Sequence, residues 1–140
     1  MGLTISREVA DQLLAHARAE LPNEACALLS GDLATGTATT LHPARNAEAS
    51  PLRYDVHPDD LVRIIFEIED AGRDLVGIFH SHTHTPAVPS PTDLRSAQYP
   101  EAFYILASLS DPDAGPAEAL RAWRILDQQS TEVPLAISGS

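Results

Sequence analysis

Two hydrophobic periods alternate along this chain. After Ser6, apolar residues fall at Val9, Leu13, Leu14, Ala17 and Leu21. Spacings of three and four put them on one helical face, so a helix is expected over 6–20. Ser6 suits its N-cap, since a serine hydroxyl accepts from an orphan N–H of the first turn. Pro22-Asn23 stops it. Residues 24–30 read as a strand ending at Gly31, and 37–42 as a second, short one after the 31–36 turn. A loop at 46–51 and a short strand at 53–56 follow. His57-Pro58-Asp59-Asp60 opens another helix, with Pro58 near the first turn, where its missing N–H costs nothing. That helix carries Leu61, Ile64, Ile65 and Ile68 and ends near Gly72. The apolar run Leu75-Val76-Gly77-Ile78-Phe79 has charge before it and proline after it, so 75–82 is a buried strand. A proline-rich loop then leads to a short helix from about Ser90 or Thr92 to Ala97. Strands are expected at 103–108 and 119–126, joined by the loop 111–116, and a last one at 133–137, with 138–140 frayed. There is no internal repeat and no linker. The order predicts an α/β domain over residues 1–140, one mixed sheet with helices on its faces.

Composition narrows the function. A chain of 140 residues is one domain with room for a core, and 44% hydrophobic content fits a globular protein. The net charge is −11, with no lysine and nine arginines scattered singly. Nucleic acid and anionic membrane are poor partners for such a surface. No apolar run approaches the ~20 residues of a membrane span. The first residues lack the charged and apolar regions of a secretory signal. Met1-Gly2 with Ser6 fits a myristoylation pattern, but nothing basic follows, so it is read as chance. The single Cys26 forms no internal disulfide. A cytoplasmic protein is expected.

The chemistry concentrates at one strand end. His80 and His82 are two apart, so a strand presents both imidazoles on one face. Asp93 follows after ten residues, and the segment between contains three prolines and loops back. Two imidazoles and a carboxylate are a common ligand set for a catalytic zinc, with water in the fourth position. The bland alternative is a pair of surface histidines. Glu24 adds weight: a carboxylate entering an apolar strand needs a partner or a task. A zinc hydrolase needs such a non-ligand carboxylate to move a proton. His84 reads as a loop histidine near a substrate channel, and Cys26 as a small buried apolar residue. Asn46 and Ser50 read as turn formers or groove lining. Trp123 belongs to core or sheet surface, and His16, His42 and His57 to the surface.

The segments His80-Ser81-His82-Thr83 and Pro89-Ser90-Pro91-Thr92-Asp93 resemble the JAMM (MPN+) metalloproteases, in which His-x-His, ten residues and Asp are joined by Ser three before the Asp. The block 22–31 resembles that family's catalytic-glutamate strand. Stretches 46–51, 54–58 and 103–108 resemble its small bacterial branch, and the likeness runs from about Ile5 to Ile137. Within the branch the chain is most similar to Mec-type hydrolases, which remove cysteine from the C-terminus of a small ubiquitin-like sulfur carrier. The resemblance implies a JAMM/MPN, cytidine-deaminase-like fold with a mixed curved sheet. It implies one zinc per chain (Zn2+) on His80, His82 and Asp93. Glu24 would be general base and then general acid, and Ser90 would donate to the oxyanion. The substrate would be a carrier protein ending in Gly-Gly, cut after the second glycine. Thr83 stands where many members have proline, which the bacterial branch tolerates, and Ala27 where relatives often have glycine. Two alternatives stay open: a broader isopeptidase of ubiquitin-like modifiers, and a non-catalytic MPN interaction module. Scaffold members usually lack one or more ligands, so the full set favours the enzyme. A homodimer is compatible with the sequence.

Overall fold

The computed structural model describes residues 2–139. Its elements are β1 (Leu3–Ser6), α1 (Arg7–Ala19), β2 (Cys26–Asp32), β3 (Thr37–Ala44), α2 (Pro58–Asp70), β4 (Asp74–His82), α3 (Pro91–Ser96), β5 (Phe103–Ser108), α4 (Pro116–Ala119), β6 (Leu120–Leu126), β7 (Gln129–Val133) and β8 (Leu135–Ser138). All eight strands form one sheet in the order β7-β6-β5-β4-β2-β3-β1-β8. β4 runs parallel to β5 and antiparallel to β2, which places both at the centre.

The expected helices form for the expected reasons. Ser6 Oγ accepts from Val9 N at 3.1 Å, capping α1, and Val9, Leu13 and Ala17 are buried under it. α2 buries Ile64 and Ile68. The two helices cover opposite faces of the sheet. Ala27 and Leu29 of β2 and Ile105 of β5 share a core with α1. Cys26 and Leu28 of β2, Ile78 of β4 and Tyr104 of β5 share the other core with α2. Central strands buried on both faces explain why their sequences run apolar without alternation.

Three elements at the margins of the sheet differ from those expected. β1 was not expected: four residues are too few for a period to show, yet Leu3 and Ile5 are fully buried once β3 and β8 flank them. The strand expected at 53–56 reduces to one bridge, Asn46 to Val56. The strand expected at 133–137 forms as β8 beyond Pro134 and takes in Ser138, which was expected to fray, while β7, which was not expected, ends at Val133; β7 lies at one edge of the sheet and β8 at the other. Proline lacks the N–H a ladder needs. Because these two edge strands are consecutive, the sheet curls until its edges nearly meet.

A bulge at Ser30/Gly31 shifts the β2–β3 register. There a β-carbon on Gly31 would lie 2.0 Å from the Thr37 carbonyl oxygen, so only glycine fits.

Candidate active site

The site forms where β4 ends and β2 begins. Cys26 pairs with His80, and Ser81 N donates to Ala25 O at 3.1 Å. Continuing that antiparallel register sets Glu24 opposite His82. All three face the α2 side of the sheet, as the period of two requires.

Asp93 arrives from α3. Ser90 caps this helix: its Oγ accepts from Asp93 N at 3.1 Å, and Ser90 N donates to Asp93 Oδ2 at 2.9 Å. This reciprocal box fixes the carboxylate. Asp93 Oδ2 lies 3.0 Å from His80 Nε2 and 3.0 Å from His82 Nε2, and the two nitrogens are 3.3 Å apart. Tetrahedral zinc with bonds of about 2.0–2.1 Å spaces its ligand atoms roughly 3.3 Å apart. The three donors are buried and of the right chemical kind, so they fit a metal ion. Burial opposes ionising Asp93, but the hydrogen bonds from His80 and His82 win and hold its carboxyl well below the usual range. Burial also pulls His80 down, toward the neutral imidazole that a ligand must be.

Glu24 is 4% exposed, and its Oε1 has no hydrogen-bond partner. Burial pushes its carboxyl up to about 7, against the pull of His82 and with the push of Asp93. A buried carboxylate without a partner, next to a cluster of metal-type donors, is poised to exchange a proton with a small molecule. Its backbone is held from both sides: Glu24 N donates to Ser50 O at 2.8 Å, and Asn46 Nδ2 donates to Glu24 O at 3.0 Å.

The remaining candidates sort clearly. His84 is exposed and apart from the cluster. Burial pushes the Cys26 thiol up to about 12, so it behaves as a small apolar residue. Asn46 is more than a turn former. Its Nδ2 also reaches Arg53 O, and its Oδ1 accepts from Glu48 N and Asp55 N, each at 3.0 Å. His42, expected at the surface, bonds Ser30 Oγ at 2.8 Å, and His16 bonds Cys26 O at 2.9 Å. Trp123 is buried, and its indole donates to Ala87 O at 3.0 Å, which anchors the loop before Ser90.

Two residues at the site escaped the sequence reading. Tyr54 stacks on His80; the sequence marked it only as part of a stretch, 54–58, that resembles the small bacterial branch. Ser81, the middle residue of His-x-His, points away from the imidazoles and accepts from Ala25 N at 2.8 Å. Ser81→Ala strands that buried N–H and is expected to cost about 1–3 kcal/mol in urea unfolding of the metal-free protein. A loss below roughly 0.5 kcal/mol, the level of an ordinary surface change, would contradict this role.

Three buried metal-type donors around a common point, with a buried carboxylate beside them, define a metallohydrolase type of centre. Residues 6–126 match the family described as prokaryotic homologs of the JAB domain, and the chain belongs to that family. It is 37% identical to a CysO-cysteine peptidase of Mycobacterium tuberculosis over 135 residues, 96% of this chain and 90% of that one. It is 38% identical to a desampylase of Haloferax volcanii over 111 residues, covering 76% and 80% of the two. The solution structure of DSY2949 from Desulfitobacterium hafniense has a TM-score of 0.87 to it at 29% identity, over 99% of this chain and 94% of that one. The mixed curved sheet flanked by helices is the fold that the sequence resemblance implied.

Proposed function

We propose that this JAB-family peptidase works as a single domain holding one Zn2+ on His80, His82 and Asp93. It hydrolyses the bond after the C-terminal Gly-Gly of a small ubiquitin-like sulfur carrier, releasing cysteine or a similar amino acid. The observation that carries the reading is Glu24, buried, unpartnered at Oε1 and set opposite His82. The CysO-cysteine peptidase relative supports the choice of substrate.

A zinc ion held by His80, His82 and Asp93 would supply a water of pKa about 7 and would polarise the scissile carbonyl. Glu24 takes the proton from the attacking water and returns it to the leaving amine. A carboxyl already lifted to about 7 suits both transfers near neutral pH. Ser90 Oγ uses a lone pair on Asp93 N, so its own O–H is free to donate to the oxyanion. His82 Nδ1 lies 2.8 Å from Pro86 O, which orients the ring with Nε2 toward the metal position. Trp123 on Ala87 O and Ser108 Oγ on Thr85 O, at 2.7 Å, hold that loop still.

The centre lies at a strand end, so the substrate must offer an extended tail. Glycines let the tail backbone approach Ser90 closely. The test is mass spectrometry of a carrier ending Gly-Gly-Cys. Trimming to Gly-Gly is expected, and a tail with bulky residues replacing both glycines should resist. Equal cutting of both tails would point to a general peptidase. The desampylase relative favours a broader second reading, in which lysine-linked conjugates of the carrier are also cleaved. The same assay on such a conjugate separates the two.

A further inference from the structure

The two histidines of the cluster are held differently. His82 is oriented through Nδ1, which lies 2.8 Å from Pro86 O. That is the usual arrangement for a metal ligand, whose second nitrogen donates to a carbonyl or carboxylate. His80 lacks it: its Nδ1 is buried and has no hydrogen-bond partner among the described residues. The Tyr54 ring lies flat on His80 instead, with centroids 4.2 Å apart and planes at 16°. His82 gives no such support, because its ring is tilted by 60° from His80 at 5.1 Å.

We infer that Tyr54 is the positioning residue for His80, its stacked ring replacing the hydrogen bond that His80 Nδ1 does not make. A planar ring on one face allows the imidazole to turn in its own plane but resists tipping. Tipping is the motion that would carry Nε2 off the common point with His82 and Asp93.

Tyr54 is itself firmly placed. Asn46 Nδ2 donates to Arg53 O, Asn46 Oδ1 accepts from Asp55 N, and Ala47 N donates to Asp55 O at 2.7 Å. The backbone is therefore clamped on both sides of Tyr54. The same Asn46 amide holds the backbone O of Glu24, so one side chain ties the Glu24 backbone to the segment that carries the ring. Tyr54 also lines a cavity of about 370 Å³ together with Thr92, the neighbour of Asp93. A smaller side chain at 54 would open the His80 ring to that space.

The inference rests on His80 being a metal ligand, and its test reads metal binding rather than hydrolysis. Zinc affinity is measured by competition with a chelating dye, and the absorption spectrum with cobalt(II) in place of zinc. Tyr54→Phe keeps the stacked face and is expected to retain wild-type affinity and spectrum. Tyr54→Leu keeps apolar bulk without a plane. It is expected to lose about 10–100-fold in zinc affinity and to change the cobalt bands, the scale typical for removing a ligand's outer partner. Tyr54→Met reads the same quantity should the leucine protein fail to fold. A merely structural role would lower the melting temperature of the metal-free protein and leave the cobalt bands unchanged, which overturns the inference. Wild-type affinity in the leucine or methionine protein overturns it as well. Absence of zinc binding by the wild-type protein would overturn the zinc reading itself, a separate outcome.

Discussion

Glu24→Gln is expected to lower hydrolysis of the carrier tail by about 10⁴-fold, the upper end for one acid–base residue, because a single side chain serves both proton transfers. Glutamine keeps the shape and bulk of the side chain but carries no transferable proton at neutral pH. Zinc content and fold should not change, since Glu24 is outside the three-donor cluster. A rate near wild type would move the base elsewhere. Ser90→Ala should fall less, by about 10²–10³, the cost of one oxyanion donor.

Stability should move the other way. The folded-state pKa of Glu24 is raised from 4.5 to about 7, chiefly by burial. A carboxyl raised in this manner favours folding only while protonated. Its contribution is fully present below its unfolded pKa and is lost as pH rises through about 7. Glutamine has no charge to bury, so the metal-free variant should be at least as stable as wild type at pH 8, and near it at pH 4. Thermal melts at the two pH values check the sign. A variant clearly less stable at pH 8 would show that the Glu24 carboxylate has a stabilising partner.

His82→Ala and Asp93→Ala are each expected to cut bound zinc from about one per chain to near zero by elemental analysis. Two remaining donors cannot close a tetrahedral site, and the lost ligand leaves its neighbours unpaired. Added zinc should raise the wild-type melting temperature, because an ion bound only by the folded state contributes about 2.7 kcal/mol at a hundredfold excess over Kd. Neither variant should show that shift. Asp93→Ala also removes the carboxylate that accepts from Ser90 N, while the Ser90 Oγ cap on the backbone N–H of position 93 remains. Full zinc occupancy in both variants would refute the ligand assignment.

The legible features were those carried by short stretches of chain. Stripes spaced by three and four residues located α1 and α2, and the run ending in His80 and His82 located β4. Two imidazoles two apart on a strand share a face whatever the rest of the molecule does. Glu24 stood out because a carboxylate entering an apolar strand is costly. The His-x-His, serine and aspartate pattern led to the family. β1 was not legible, because a four-residue strand has no period of its own and exists only by pairing with strands far along the chain.

The sequence by itself determined the two long helices and the central strands, their amphipathic or apolar character, and the residue types and spacings suited to metal-assisted hydrolysis. Backbone geometry repeats every 3.6 or 2 residues, so local order is written locally. Tertiary structure alone decided which distant groups meet. The Asn46 amide holds Glu24 across 22 positions, and the Trp123 indole reaches Ala87 across 36. The Ser81 hydroxyl meets Ala25 N across 56. It likewise put Tyr54 on His80 and removed Glu24 from water, which is what moves its pKa. Burial and contact belong to the packed sheet as a whole, so no window of the chain contains them.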